Sequence, residues 1–149
     1  MTKLNFYIQA RADGGRRSGI EVDGETLHSH FEPGCGEPDP SLLWYIDIRC
    51  KVDSLPRDEY ATTKWLIDHS DLFREELLVL SERLYAGLDV DLWPLQHRIV
   101  KAPAGVEAVI VCSSIRGIIA REYGSILADV VQNFDSILRS VTALETAAT

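Results

Sequence analysis

The residue types with the greatest chemical potential lie close together in the stretch LHSHFEPGCGEPD, between Leu27 and Asp39. His28, His30 and Glu32 could together supply two imidazoles and a carboxylate, a set that binds iron or zinc in other proteins. On a single strand, however, these positions span roughly 13 Å at about 3.3 Å per residue, so one ion could not reach all three without a bulge. We therefore expect solvated or hydrogen-bonded histidines, and the sequence predicts no metal ligand and no cofactor.

The cysteines do not indicate catalysis either. Cys35 lies between two glycines in a loop and has no basic neighbour in the sequence that would favour a reactive thiolate. Cys50 and Cys112 fall within apolar, alternating segments and are typical of small core residues. Three widely spaced cysteines form neither a disulfide framework nor a paired metal motif. The sequence therefore predicts no catalytic residue.

The stretch ADGGRRSG combines two glycines with Arg16 and Arg17, which could contact an anion such as phosphate. The phosphate-binding patterns GxxxxGK[ST] and GxGxxG are both absent from it. The glycines also join two predicted strands, whereas a phosphate loop joins a strand to a helix. The pattern favours a hairpin turn, with anion contact by Arg16 and Arg17 as the alternative.

Composition limits the class of protein. The chain has 149 residues, which fits one domain, and 15 basic against 23 acidic residues give a net charge of −8. That balance argues against nucleic acid and anionic membranes as partners, because both attract clustered Lys and Arg. The chain contains neither a secretory signal nor an apolar run of about 18 residues. We expect a cytoplasmic protein with reduced thiols.

The elements that must position these residues follow from periodicity. Apolar and polar residues alternate in the first third, which predicts four strands, with Asp23 and Gly24 as a tight hairpin turn. A helical pattern begins near Asp53 and ends near Gly87, with a break near Asp68 where Asp68 or Ser70 could cap a second helix. Two more strands and a further helical stretch, kinked or split at Gly124, complete the chain.

The predicted fold class is α+β, with an antiparallel sheet of four N-terminal strands, two added strands from the C-terminal half, and helices packed on one face. Residues 1–144 form the single predicted domain, and residues 145–149 form a frayed tail. If the apolar side of each strand faces the helices, one set of polar residues shares the opposite face: Asn5, Tyr7, Gln9, Arg11, Thr26, His28, His30, Glu32, Tyr45, Asp47, Arg49 and Lys51.

That polar face has two interpretations. It could be a solvated surface with ion pairs such as Asp47 with Arg11 or Arg49. It could also be a binding face, because Tyr and Arg are enriched among interface anchors. The second interpretation names as partner-binding residues Tyr7, Gln9, Arg11, His28, His30, Tyr45, Asp47 and Arg49.

The order of elements and the acidic charge resemble those of small bacterial immunity or antitoxin-like proteins, which dock on basic toxins. The sequence thus predicts a non-enzymatic interaction or regulatory module that binds a protein partner or a second copy of itself as a homodimer. The alternative is a small-molecule enzyme or sensor with a pocket between sheet and helices, assisted by a metal on His28 and His30. A structural subunit of a larger complex is a third hypothesis.

Overall fold

The computed structural model describes residues 1–88, 95–100, 102–115 and 118–142, with the backbone alone described for residues 95–98. Within these ranges the chain forms six strands and four helices. In chain order they are β1 Thr2–Arg11, β2 Arg16–Val22, β3 Glu25–Glu32, β4 Leu42–Val52, α1 Glu59–Asp68, α2 Ser70–Tyr85, β5 Leu95–Val100, β6 Val106–Ser114, α3 Ala120–Gln132 and α4 Phe134–Ser140.

The strands form one antiparallel sheet in the order β3-β2-β1-β4-β6-β5. The first three strands are a meander, and β4 pairs with the free side of β1, so β1 lies inside the sheet. Asp23 and Gly24 both have positive φ, 50° and 87°, as a two-residue type I′ hairpin requires. The predicted α+β fold, including the two C-terminal strands that extend the sheet, is confirmed.

The helices cover one face of the sheet and share one hydrophobic core with it. Phe6 of β1 meets Phe134 of α4 edge to face at 5.7 Å, and Trp44 of β4 meets Tyr123 of α3 at 6.1 Å. The Tyr123 hydroxyl donates a 2.9 Å hydrogen bond to the carbonyl of Tyr45, which ties α3 to a central strand. These contacts place the helices on the side of the sheet that carries the apolar residues.

The predicted helix break near Asp68 is confirmed, although its cap differs. His69 separates α1 from α2; its ring stacks on Trp65 at 4.3 Å, and its Nδ1 lies 2.7 Å from the Trp65 carbonyl oxygen. Neither Asp68 nor Ser70 caps α2, because the N-cap position is His69 itself. The first helix also starts later than predicted, after Asp58, whose side chain accepts a hydrogen bond from the Ala61 N–H at 3.1 Å.

The prediction that Gly124 kinks or splits the helix is wrong, because α3 runs through it without interruption. Gly124 is instead a point of close contact between α3 and α2, and the Ser81 hydroxyl donates a 2.6 Å hydrogen bond to its carbonyl. The break comes later, at Asn133 between α3 and α4.

Two further predictions concern segments rather than packing. The frayed tail predicted at 145–149 lies outside the residues that the structure describes. Among the described helices, none is long and apolar enough to span a membrane.

Candidate functional site

The sheet face opposite the helices is the candidate site, and we call it the open face. Strand register defines it, because residues paired across neighbouring strands point to the same side. One row crosses the sheet through Glu21, Asn5, Arg49, Val109 and Ile99. The remaining described members are Lys3, Tyr7, Gln9, Arg11, Arg17, Gly19, Thr26, Ser29, Phe31, Tyr45, Asp47, Lys51, Glu107, Val111 and Ser113.

Tyr7 lies on the open face as predicted, yet most of its surface is covered. Its ring lies across Gly19, where an added Cβ would come within 2.3 Å of the phenol oxygen. The side chain is only 7% exposed, and burial, followed by the charge of Glu21, raises the pKa of the Tyr7 phenol. Tyr7 therefore packs within the face with a neutral phenol.

Asp47 and Arg49 form the ion pair that the solvated-face interpretation expected. They are two residues apart on β4, and the Arg49 guanidinium lies 3.0 Å from the Asp47 carboxylate. The Arg49 side chain is largely exposed, whereas that of Asp47 is mostly covered. Gln9 and Tyr45 are direct cross-strand neighbours on the same face. Among the predicted residues, Tyr45 and Arg49 are thus placed where a partner could reach them.

Arg11 contributes to a second cluster, at the end of the open face near the β1–β2 hairpin. Its guanidinium lies 4.8 Å from the centre of the Phe31 ring, and that of Arg17 lies 5.6 Å from the same ring. Phe31 remains 38% exposed between them. Arg16 projects to the other side of the sheet, over Trp44 at 5.6 Å. Arg16 and Arg17 therefore point to opposite faces of the sheet, which does not favour contact of both with one anion.

Asp13, in the β1–β2 hairpin, holds this end of the sheet together. Its carboxylate accepts hydrogen bonds from the N–H groups of Asp39 at 2.9 Å and Gly15 at 2.8 Å, and it pairs with Arg11 at 2.5 Å. These donors, the Asp39 N–H first, lower the pKa of the Asp13 carboxyl. The pairing with Asp13 also means that Arg11 does not pair with Asp47.

The predicted position of His28 and His30 on the open face is wrong, as it is for Glu32. Register shifts at β3: Glu21 pairs with Thr26, whereas Ile20 pairs with His28. Leu27 is the extra residue, and it packs against the core. A bulge of this kind turns the following alternation over. His28 and His30 consequently lie on the helix side of the sheet, and Phe31 lies on the open face.

Each histidine has a carboxylate of its own. His28 contacts Glu59 at the start of α1, which links the edge strand β3 to the helix layer. His30 lies 3.4 Å from Glu32 on the same strand. No group of three or more potential metal ligands occurs in the described ranges of the chain. His28 and His30 thus meet separate carboxylates, and the metal-assisted alternative has no assembled ligand set there.

A groove of about 770 Å³ opens on the open face, at the end where β1 begins and β4 ends. Its charged lining has three basic residues and two acidic ones, and its apolar lining includes Ile99 and Val109. The charged residues are Lys3, Arg49, Lys51, Glu21 and Glu107. This groove lies on the far side of the sheet from the helices. It does not correspond to the sheet–helix pocket of the alternative hypothesis.

The three cysteines occupy the positions that the sequence predicted. Cys50 and Cys112 are buried in the core, and burial raises the pKa of each thiol to about 12. Cys35 is exposed in the loop before β4. None of the three is disulfide-bonded.

Sequence reasoning missed the apolar part of the open face. Ile99 is 84% exposed in β5, and Val109 lies beside it in β6. The sequence does contain a signal for Ile99, because it has the same parity as the polar His97 and Lys101. Phe31 has no such signal, since its parity depends on the bulge at Leu27.

Comparison with protein-family models, with curated proteins and with solved structures yields no match to this chain.

Proposed function

We propose that this protein is an interaction module that binds a partner protein through the open face. One observation carries the proposal: the described helices all pack on one side of a six-stranded sheet, and the other side carries anchor residues. Antiparallel sheets with one solvated face usually place polar residues there. Here that face also presents Tyr45, Arg49 and Ile99, which gives it the mixed character of a protein interface.

Ile99, Tyr45 and Arg49 would each contribute a different kind of interaction to binding. Ile99 supplies apolar area that is now in contact with water, and burying a side chain of this size contributes about 1.5–3 kcal/mol. Tyr45 adds a flat ring with a polar end, and Arg49 adds a charge already oriented by Asp47. Tyr and Arg are the residue types whose truncation most often weakens an interface.

We favour a different protein over a second copy as the occupant. A two-fold dimer through the open face would place the same patch on both subunits. The charged members of that patch are five basic and three acidic residues, namely Lys3, Arg11, Arg17, Arg49 and Lys51 with Glu21, Asp47 and Glu107. Two such patches would bring a surplus of like charge together, which disfavours self-pairing.

The test is capture of partners from the native lysate by the wild type and by two triple variants. The first carries Tyr45→Ala, Arg49→Ala and Ile99→Ala on the open face. The second carries Tyr60→Ala, Arg139→Ala and Ile119→Ala, the same residue types at exposed positions outside the sheet. Circular dichroism first establishes that both variants remain folded.

A protein that the wild type and the second variant retain, and that the open-face variant loses, is the expected result. Its direct binding should weaken at least tenfold in the open-face variant, because loss of one anchor costs about 1–2 kcal/mol or more. Partners that both variants retain equally, or that only the second variant loses, would place the interface elsewhere and refute the proposal.

A further inference from the structure

We infer that the partner segment which occupies the open face is acidic and interleaved with apolar residues. This inference rests on the proposed function and names the chemistry of the partner. It runs against the first expectation from composition, since a chain of net charge −8 would by itself favour a basic partner.

Charge is divided between the two sides of the molecule. Helices α1 to α4 together contain nine acidic and five basic residues. The described members of the open face have the opposite balance, with five basic and three acidic residues. At physiological salt, charges are screened beyond about 8 Å, so a docked segment responds to the face it touches more than to the net charge of the chain.

The strongest local feature is the pairing of Lys3 with Lys51. These residues are direct cross-strand neighbours on β1 and β4. Like charges at such positions destabilise a sheet by a fraction of a kcal/mol, about 0.2–1 in size. Glu107 follows in the same row, yet neither lysine's ammonium group lies within 4 Å of a carboxylate among the described residues. The nearby Asp23 carboxylate accepts a hydrogen bond from the Lys3 backbone N–H at 3.1 Å instead. An acidic group between the two lysines would relieve this repulsion.

The apolar part of the groove adjoins the lysines. Ile99 and Val109 are cross-strand neighbours, and Arg49 is the next member of the same row. A partner segment that places a carboxylate between Lys3 and Lys51 would therefore also bring an apolar side chain onto Ile99, which lies in the next row. At the other end of the face, Arg11 and Arg17 flank the exposed Phe31 in the same combination of cation and apolar surface.

A nucleic acid strand would also favour cations, but the aromatic residues do not suit it. Single-stranded nucleic acid binds sheets through aromatic rings that are free to stack with bases. Of the three aromatic rings on the described open face, Tyr7 lies over Gly19, and Phe31 has the guanidinium groups of Arg11 and Arg17 beside it. That leaves Tyr45 alone to stack with a base, and one ring does not form a stacking surface for successive bases. The observations favour an acidic polypeptide.

The test uses a random library of 12-residue peptides displayed on phage. Selection on the wild-type protein alternates with counterselection on the variant Lys3→Gln/Lys51→Gln, which removes two charges and keeps polar side chains. The matched control is Lys64→Gln/Arg139→Gln, which removes two charges from exposed positions on α1 and α4. Backbone NMR shifts then locate the best peptide on the wild-type protein.

Selected peptides enriched in Asp and Glu, with at least one large apolar residue, are the expected outcome. The best peptide should shift resonances of Lys3, Arg49, Lys51 and Ile99. Its affinity should fall at least tenfold in Lys3→Gln/Lys51→Gln, which corresponds to a loss of about 1.4 kcal/mol or more, and less than threefold in the control.

The other outcomes overturn the inference in distinguishable ways. Enrichment of Lys- and Arg-rich peptides that shift the same resonances would refute the acidic partner and leave the proposed interaction face intact. Peptides that shift only residues of the helices would refute the face as well. No enrichment over the counterselection, or displacement of the peptide by a 12-nucleotide single strand that shifts the same residues, would also refute an acidic polypeptide partner.

Discussion

Asp13 connects the loops at the hairpin end of the sheet through its side chain. It is 5% exposed and joins three parts of the chain: the backbone of its own hairpin, the 33–41 loop through Asp39, and Arg11 of β1. Gly34 lies so close to this hairpin that an added Cβ would come within 1.8 Å of the Asp13 carbonyl oxygen. One carboxylate thereby joins two loops without regular structure, next to the backbone hydrogen bond from the Ala12 N–H to the Ser41 carbonyl at 2.7 Å.

We predict that Asp13→Asn lowers the free energy of unfolding at neutral pH. The carboxylate accepts from three donors with both oxygens and a negative charge, whereas an amide has one accepting oxygen and no charge. The Asp13 pKa is lowered in the folded protein, so its contribution to stability is present above the unfolded pKa of about 3.9 and is lost as pH falls through the folded value. The difference between wild type and variant should therefore be full at pH 6 and shrink below about pH 4.

Urea unfolding followed by tryptophan fluorescence over this pH range measures that difference. Glu37→Gln, at an exposed position in the same loop, serves as the control and should leave stability nearly unchanged at every pH. A difference for Asp13→Asn that stays constant from pH 6 to pH 3 would show that the carboxylate does not act through its charge.

The histidines illustrate what could not be predicted at the scale of residues. Their spacing fixed that His28 and His30 share one side of a strand, and they do. The side of the sheet on which they lie depends on the bulge at Leu27. This bulge arises from pairing with β2, and no residue type in β3 predicts it. Tyr45, Asp47 and Arg49 were placed correctly, because β4 alternates without a bulge across its central residues.

Among the elements, α2 and α3 are in close backbone contact where Gly124 faces Ser81 and Tyr85. A Cβ at Gly124 would lie 2.7 Å from the Tyr85 nitrogen and 2.8 Å from the Ser81 carbonyl oxygen. Both are backbone atoms of α2, so they can move only if the helix moves. The Ser81 hydroxyl, which bonds to the Gly124 carbonyl, fixes the two helices at this distance.

We predict that Gly124→Ala destabilises the protein by about 1–3 kcal/mol, the usual cost of inserting a methyl group into a packed contact. Alanine has the better helix propensity by about 1 kcal/mol, so the net loss should lie toward the lower part of that range. Ser125→Ala, exposed on the next position of α3, has the propensity gain without the clash and should be neutral or slightly stabilising. Urea unfolding of both variants checks this, and a Gly124→Ala protein as stable as the wild type would contradict it.

Elements governed by local chemistry were predicted well. The Asp23–Gly24 hairpin, the end of α2 before Gly87 and the division at His69 all depend on residues within a turn of the feature itself. The course of α3 depended on a distant contact. Gly124 weakens a helix by propensity, but here it allows close packing on α2, and that tertiary gain keeps the helix continuous.

At the scale of the whole molecule, the division of charge between the two sides bears on assembly. The sequence predicted a homodimer, with the self-contact on either the sheet face or the Leu-rich helices. The open face has a surplus of basic residues, and the helices have a surplus of acidic ones. Contact between an open face and the helices of another copy would satisfy charge, but such a heterologous contact closes only into rings or continues into chains.

We therefore predict that the purified protein is a monomer of 16.7 kDa at about 0.15 M salt, as measured by sedimentation equilibrium over a range of micromolar concentrations. The net charge of −8 adds a general repulsion between copies. If a dimer forms and Arg49→Glu dissociates it, the open face pairs with itself, and the partner inferred above would compete with self-association. If the dimer survives that substitution, the contact lies on another surface, and the open face remains available to a partner in each subunit.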